Sequence, residues 1–155
     1  MTTAKLAQGT RTQLTGAGNA INSLASGAYV ALGTITHNNA SKTPLECLIE
    51  LTVTPGAVAG NKQAVLFAQV SLDGAAFSSG PASGTTTTDE ANLVYVGTLP
   101  LNSSGAQQRG VFPLSVPNGG VLPFATRLIL KNDSGAAFST SGNDVYSLDV
   151  SGDLT

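Results

Sequence analysis

Residues 45–54 read Leu-Glu-Cys-Leu-Ile-Glu-Leu-Thr-Val-Thr. Leu45, Cys47, Ile49, Leu51 and Val53 share one parity, while Glu46, Glu50, Thr52 and Thr54 share the other. Successive side chains of a strand point to opposite faces, so this segment predicts a half-buried strand with the first set inward and both glutamates outward. Only Leu48 breaks the alternation, and Pro55-Gly56 supplies the turn that ends the strand.

The same rhythm runs outward in both directions. Upstream, Ala28–His37 carries Val30 and Leu32 on one face and Tyr29 and Ile35 on the other. Downstream, Ala64–Leu72 is apolar on both faces until Gln69, the pattern of a central strand. Asp73-Gly74 is a hairpin signal and predicts a short return strand over Ala76–Ser78. Further strands are expected at Leu93–Leu99, Gly110–Val116, Thr126–Asn132 and Asp144–Val150. Pro113 cannot donate to a ladder, which places its strand at an edge or a bulge. In the seventh strand Leu128 and Leu130 oppose Ile129; in the eighth Tyr146, Leu148 and Val150 share a face. Short strands separated by Gly, Ser, Thr and Asn predict an all-β, single-domain antiparallel β-sandwich. A jelly roll is the most economical arrangement, with an Ig-like order left open.

Two segments depart from this rhythm. Residues 1–27 have sparse, aperiodic apolar residues (Leu6, Leu14, Ile21, Leu24) and are expected as an extended N-terminal arm, with one helical turn near Ala20–Leu24. Such an arm buries little against its own domain, so its order is expected to come from neighbouring chains. The sandwich body is then residues 28–155. Ser78–Asn92 is a long loop, and loops beyond about 12 residues are usually functional or disordered. The four arm residues and Pro81, Asp89 and Glu90 of this loop are the candidate interface residues.

Composition excludes much chemistry. Charged residues are 10% of the chain against about 25% in typical domains. A net charge of −2 lacks the basic footprint of a nucleic-acid binder. No apolar run is long enough to span a membrane, and the first residues lack the apolar core of a secretory signal, so synthesis and folding in cytosol are expected. One cysteine rules out an internal disulfide, and one histidine leaves few acid–base or imidazole-metal designs. Cys47 is expected as a buried core thiol, and His37 as a structural residue beside a turn at Asn38-Asn39. Gly56–Lys62 has neither the spacing nor the hydroxyl of a phosphate-binding loop. Asp89-Glu90 lacks a calcium-loop pattern and is expected as a solvated loop end. Catalytic, cofactor-binding and metal residues are all expected to be none. Tyr29 and Tyr95 are the aromatics placed for exposure, where a sugar ring could stack.

The run FAQVSLDGAAFSSGPASGTTTTDEANLVYVGTLPLNS (67–103), with GGVLP (119–123) and LKNDSGAAF (130–138), resembles small virion structural proteins of tailed bacteriophages, of the capsid decoration or cement type. That resemblance spans roughly residues 28–152. It implies a β-sandwich on the capsid surface that binds the major capsid protein, ties capsomers together as a dimer or trimer, and performs no reaction. The alternative is a tail- or fibre-associated sandwich recognising host glycan. Neither nucleic acid nor membrane is an expected partner.

Overall fold

The structure, a computed structural model, describes residues 4–14, 16–37, 44–59 and 61–154. The Asn38-Asn39 turn, Met1–Thr3 of the arm and Gly60 lie outside the described residues. The elements are β1 (Ala4–Gln8), β2 (Thr12–Gln13), α1 (Ala17–Ile21), β3 (Tyr29–Thr36), β4 (Pro44–Val53), β5 (Gln63–Ser71), β6 (Ser83–Gly84), β7 (Val94–Pro100), β8 (Gln108–Pro113), β9 (Ala125–Asp133) and β10 (Asp144–Leu154). Two antiparallel sheets pack face to face. Sheet A has the order β1-β10-β4-β8, with β2 also along β10; sheet B has the order β6-β3-β9-β5-β7. The Pro113 strand is the edge of sheet A, and Ala64–Leu72 lies inside sheet B, as their sequences predict.

The core follows from parity. Cys47, Ile49, Leu51 and Val53 of β4 and Val145 of β10 face Leu66, Leu128 and Leu130 of sheet B, all fully buried. Three expectations within the strands are corrected. Leu45 is 57% exposed. It lies where the β10 ladder shifts register between Val150 and Ser151, at the mouth of the sandwich. Ile35 packs on the same core as Val30 and Leu32, because a bulge between Ala31 and Gly33 changes the parity of the rest of β3. Gly33 sits there at φ +124°, a conformation an L-residue resists. Thr52 keeps its outward parity but is buried between its cross-strand neighbours Asp144 and Arg109.

The N-terminal segment is not an arm that waits for a neighbour. Residues 4–14 form the edge of their own sheet A. Gln8 faces Val150 and Thr12 faces Ser147, so four residues step past three and the edge bulges. The helical turn comes slightly earlier than expected, and α1 plugs one end of the sandwich, with Ala17 and Ile21 buried. Asn143 ties this end together: its amide nitrogen donates to Asn22 Oδ1 at 2.8 Å, and its Oδ1 accepts from Thr54 N–H at 2.8 Å.

The return strand expected over Ala76–Ser78 does not form. Asp73 Oδ1 accepts the Ala75 and Ala76 N–H groups at 2.8 and 2.9 Å, which curls the segment. The following loop is not an open tether either. It crosses the outside of sheet B, pairs β6 onto the far edge at β3, and returns to β7. Beneath it Tyr29, Val65, Phe67, Leu93 and Ile129 form a second apolar cluster, with Ala82 packed against it. This explains why β5 is apolar on both faces and why Ile129 on the outer face of β9 is buried.

Candidate functional site

The loop leaves the two outer faces of the sandwich unequal. Sheet B is covered; the outer face of sheet A has no comparable cover among the described residues. Its rows follow from register. Leu148, Leu48 and Pro113 stand side by side across β10, β4 and β8, next to a row of Tyr146, Glu50 and Val111. Val111 is 57% exposed and Leu6, on β1, 75%. Leu48, the residue that broke the alternation in the sequence, is the centre of this apolar row. Tyr146, Leu148 and Val150 share a face as predicted, and that face is the outer one; Val145 supplies the core contact.

Charge frames the apolar row. The Arg11 guanidinium lies 3.2 Å from the Tyr146 ring centroid and donates to both Glu50 oxygens, at 2.6 and 3.2 Å. Arg109 approaches Glu50 at 3.4 Å. The Arg11 hydrogen bonds hold the Glu50 carboxyl below its ordinary range. Exposed ion pairs contribute at most about 1 kcal/mol, so this pair orders the side chains more than it stabilises the fold. An apolar centre with a polar rim is the composition of a protein-binding surface.

The candidate interface residues fare differently. Leu6 is exposed beside this face. Leu14, Ile21 and Leu24 instead pack into or against the molecule's own core. Pro81 is half-buried in the cover of sheet B, and Asp89 is exposed. Glu90 is no solvated loop end, because it pairs with Lys131 Nζ at 2.7 Å and clips the cover to β9. Tyr29 is buried, with Lys131 Nζ 5.1 Å from its ring centroid. Tyr95 is 56% exposed, edge-on to Phe67, with its hydroxyl 2.9 Å from Thr98 Oγ1.

Sequence reasoning missed one constellation. At the end of the sandwich opposite α1, a ring nitrogen of His37, the Cys47 sulfur and an Asp149 carboxylate oxygen all lie within 4.8 Å of one another. Cys47 and Asp149 are cross-strand partners on β4 and β10, and His37 follows β3 of the other sheet. His37 is buried; its backbone N–H donates to Phe124 C=O at 2.9 Å, and its ring Nε2 lies 3.2 Å from Thr126 Oγ1. Its Nδ1 is buried without a partner. Burial pushes the His37 pKa down against the pull of Asp149 and Glu46, so the neutral ring is favoured. Burial also pushes the Cys47 thiol far above its ordinary value, reinforced by the Asp149 charge. A raised thiol is a poor nucleophile, which argues against cysteine catalysis here. The three residues are separated by 10 and 102 positions, so no local spacing announces them; only strand register does.

No protein family model matches the chain, and no curated protein is similar enough to it to stand as a relative.

Proposed function

We propose that the protein is a non-enzymatic virion structural protein of the capsid decoration type, which binds the major capsid protein on the assembled shell and reinforces contacts between capsomers. The observation that carries the reading is the half-buried apolar row Leu148, Leu48 and Pro113 on the outer face of sheet A, set against a sheet B whose second apolar cluster is largely covered by its own loop. The low charge of the chain supports it, since few groups need desolvating when this face is buried. The likeness of residues 67–103 to phage structural proteins supports it as well. So does the strand order. With β1 and β2 counted as one strand, each sheet has four main strands and most connections pass between sheets, the arrangement of a jelly roll used by viral capsid proteins. The free edge at β1 is the place for contacts between copies in a dimer or trimer.

A ligand that binds only the assembled lattice stabilises it by mass action, and an oligomer gains further through effective concentration. The test strips the protein from virions, adds it back and measures heat-induced rupture. Leu48→Asp and Leu148→Asp should abolish attachment while the isolated protein keeps its far-ultraviolet spectrum. Particles that rupture at the same temperature with and without the protein refute the reading.

Tyr95 favours a second reading, a tail or fibre domain recognising host glycan, because an exposed ring backed by Phe67 is a stacking platform. A glycan array on the wild type and Tyr95→Ala separates the two.

A further inference from the structure

We propose that His37, Cys47 and Asp149 bind one divalent cation of the zinc class, which ties sheet A to sheet B at the end of the sandwich opposite α1. The inference is independent of the docking role.

Geometry carries it. Three different donor atoms converge within 4.8 Å, two from paired positions inside β4 and β10 of sheet A and one from just beyond β3 of sheet B. Metal bonds of about 2.0–2.3 Å place tetrahedral ligands some 3.3–3.7 Å apart, so the cluster needs to close by only about 1 Å. The ring is already arranged for it. With the proton on Nε2 and donated to Thr126 Oγ1, the buried Nδ1 keeps its lone pair and has no other partner. Metal-binding histidines are characteristically held this way by their second nitrogen.

The donor set chooses the metal. One sulfur, one imidazole nitrogen and one carboxylate suit zinc or cobalt rather than the all-oxygen preference of calcium or magnesium. On binding, the Cys47 S–H bond breaks, a sulfur–metal bond forms and the proton leaves to solvent. Two ligand charges, thiolate and carboxylate, neutralise the cation. Three protein ligands leave a fourth position for water. His37 also lines an apolar groove of about 470 Å³ with Leu45, Val121 and Phe124, and Asp149 is exposed to solvent.

The test uses the full chain, reduced and stripped with a chelator, then titrated with cobalt(II). The expected result is one cobalt per chain, a near-ultraviolet thiolate charge-transfer band with the visible bands of a tetrahedral site, and displacement of both by one equivalent of zinc. The melting temperature should rise with zinc and fall back with chelator. Asp149→Asn, at an exposed position, should remove the tetrahedral spectrum. Thr126→Val should weaken affinity about 10–100-fold through the loss of the Nε2 partner. If Cys47→Ser fails to fold, Asp149→Asn decides. Folded wild type that gives no charge-transfer band with millimolar cobalt overturns the site. So does a band unchanged in both Asp149→Asn and His37→Gln, which would mark a thiolate acting alone.

Discussion

Glu46→Ala should destabilise the protein far more than an ordinary surface glutamate does. Its carboxylate accepts the N–H groups of Cys47, Leu114 and Ser115 at 2.9, 3.0 and 2.8 Å, and the Ser115 hydroxyl as well. It thereby anchors the turn after β8 to the start of β4. Leu114 N–H keeps the Cys47 carbonyl at 3.0 Å, so it loses little. The Cys47 and Ser115 N–H groups lose their acceptor. Each orphaned donor costs about 1–3 kcal/mol, and partial access to water keeps the sum near 2–4 kcal/mol. For a domain of this length that is a fall of roughly 5–15 °C in Tm. Burial raises the Glu46 pKa and the hydrogen bonds from Ser115, Cys47 and Leu114 lower it, with the net shift downward. The folded carboxyl therefore holds its proton less tightly than the unfolded one. Its contribution is complete above the ordinary glutamate value of 4.5 and is lost as pH falls through the lower folded value. Urea unfolding of wild type, Glu46→Ala and Glu46→Gln from pH 7 down to pH 3 measures both effects. The gap between wild type and Glu46→Gln should narrow at the acid end. A change below about 0.5 kcal/mol at pH 7, the usual surface value, would refute the anchoring role.

Ile49→Ala, at a fully buried position, should cost about 2–5 kcal/mol by denaturant unfolding. Ile21→Ala should cost a similar amount, and removing residues 1–27 should lower the thermal transition, because α1 and β1 belong to the body; an unchanged transition would return them to the status of a loose arm. Gly80→Ala should loosen the cover of sheet B, since a Cβ at φ +144° would meet Leu93 Cδ2 at 2.5 Å; faster hydrogen exchange over residues 79–93 is the readout. If docking uses the apolar row of sheet A, attachment to particles should change little between low and physiological salt, measured by co-sedimentation.

Parity made most of the sandwich legible. Cys47 to Val53 face inward as written, and Pro113 marks an edge because the chemistry of one residue decides the matter. Parity failed where a bulge changes its phase, at Gly33 and at Val150, since a bulge is a pairing event between two strands and leaves only a glycine, or nothing, in the sequence. The place of residues 4–14 and 16–27 in the body is not legible, because sparse apolar residues look unemployed until the partner surface is known. Ile21 needs only one cavity to fill, at the end of the sandwich between β3 and the distant β10. The apolar row on sheet A left one trace, Leu48 out of step. The His37–Cys47–Asp149 cluster left none, because its register is set by long-range pairing and single residues carry no spacing.

The position of β10 has a consequence for how the molecule comes to be. It lies between β1 and β4 in sheet A, yet it leaves the ribosome after every other strand of the two sheets. Closing β1 against it joins segments roughly 140 residues apart, an entropic penalty of about 4 kcal/mol. Sheet B can assemble from β3, β5, β7 and β9 while synthesis continues, but sheet A must stay split, with β1 and β4 as two unpaired edges. Nascent chains are thus prone to trade that missing strand with one another. High expression should produce domain-swapped copies in which one molecule's β10 completes its neighbour's sheet.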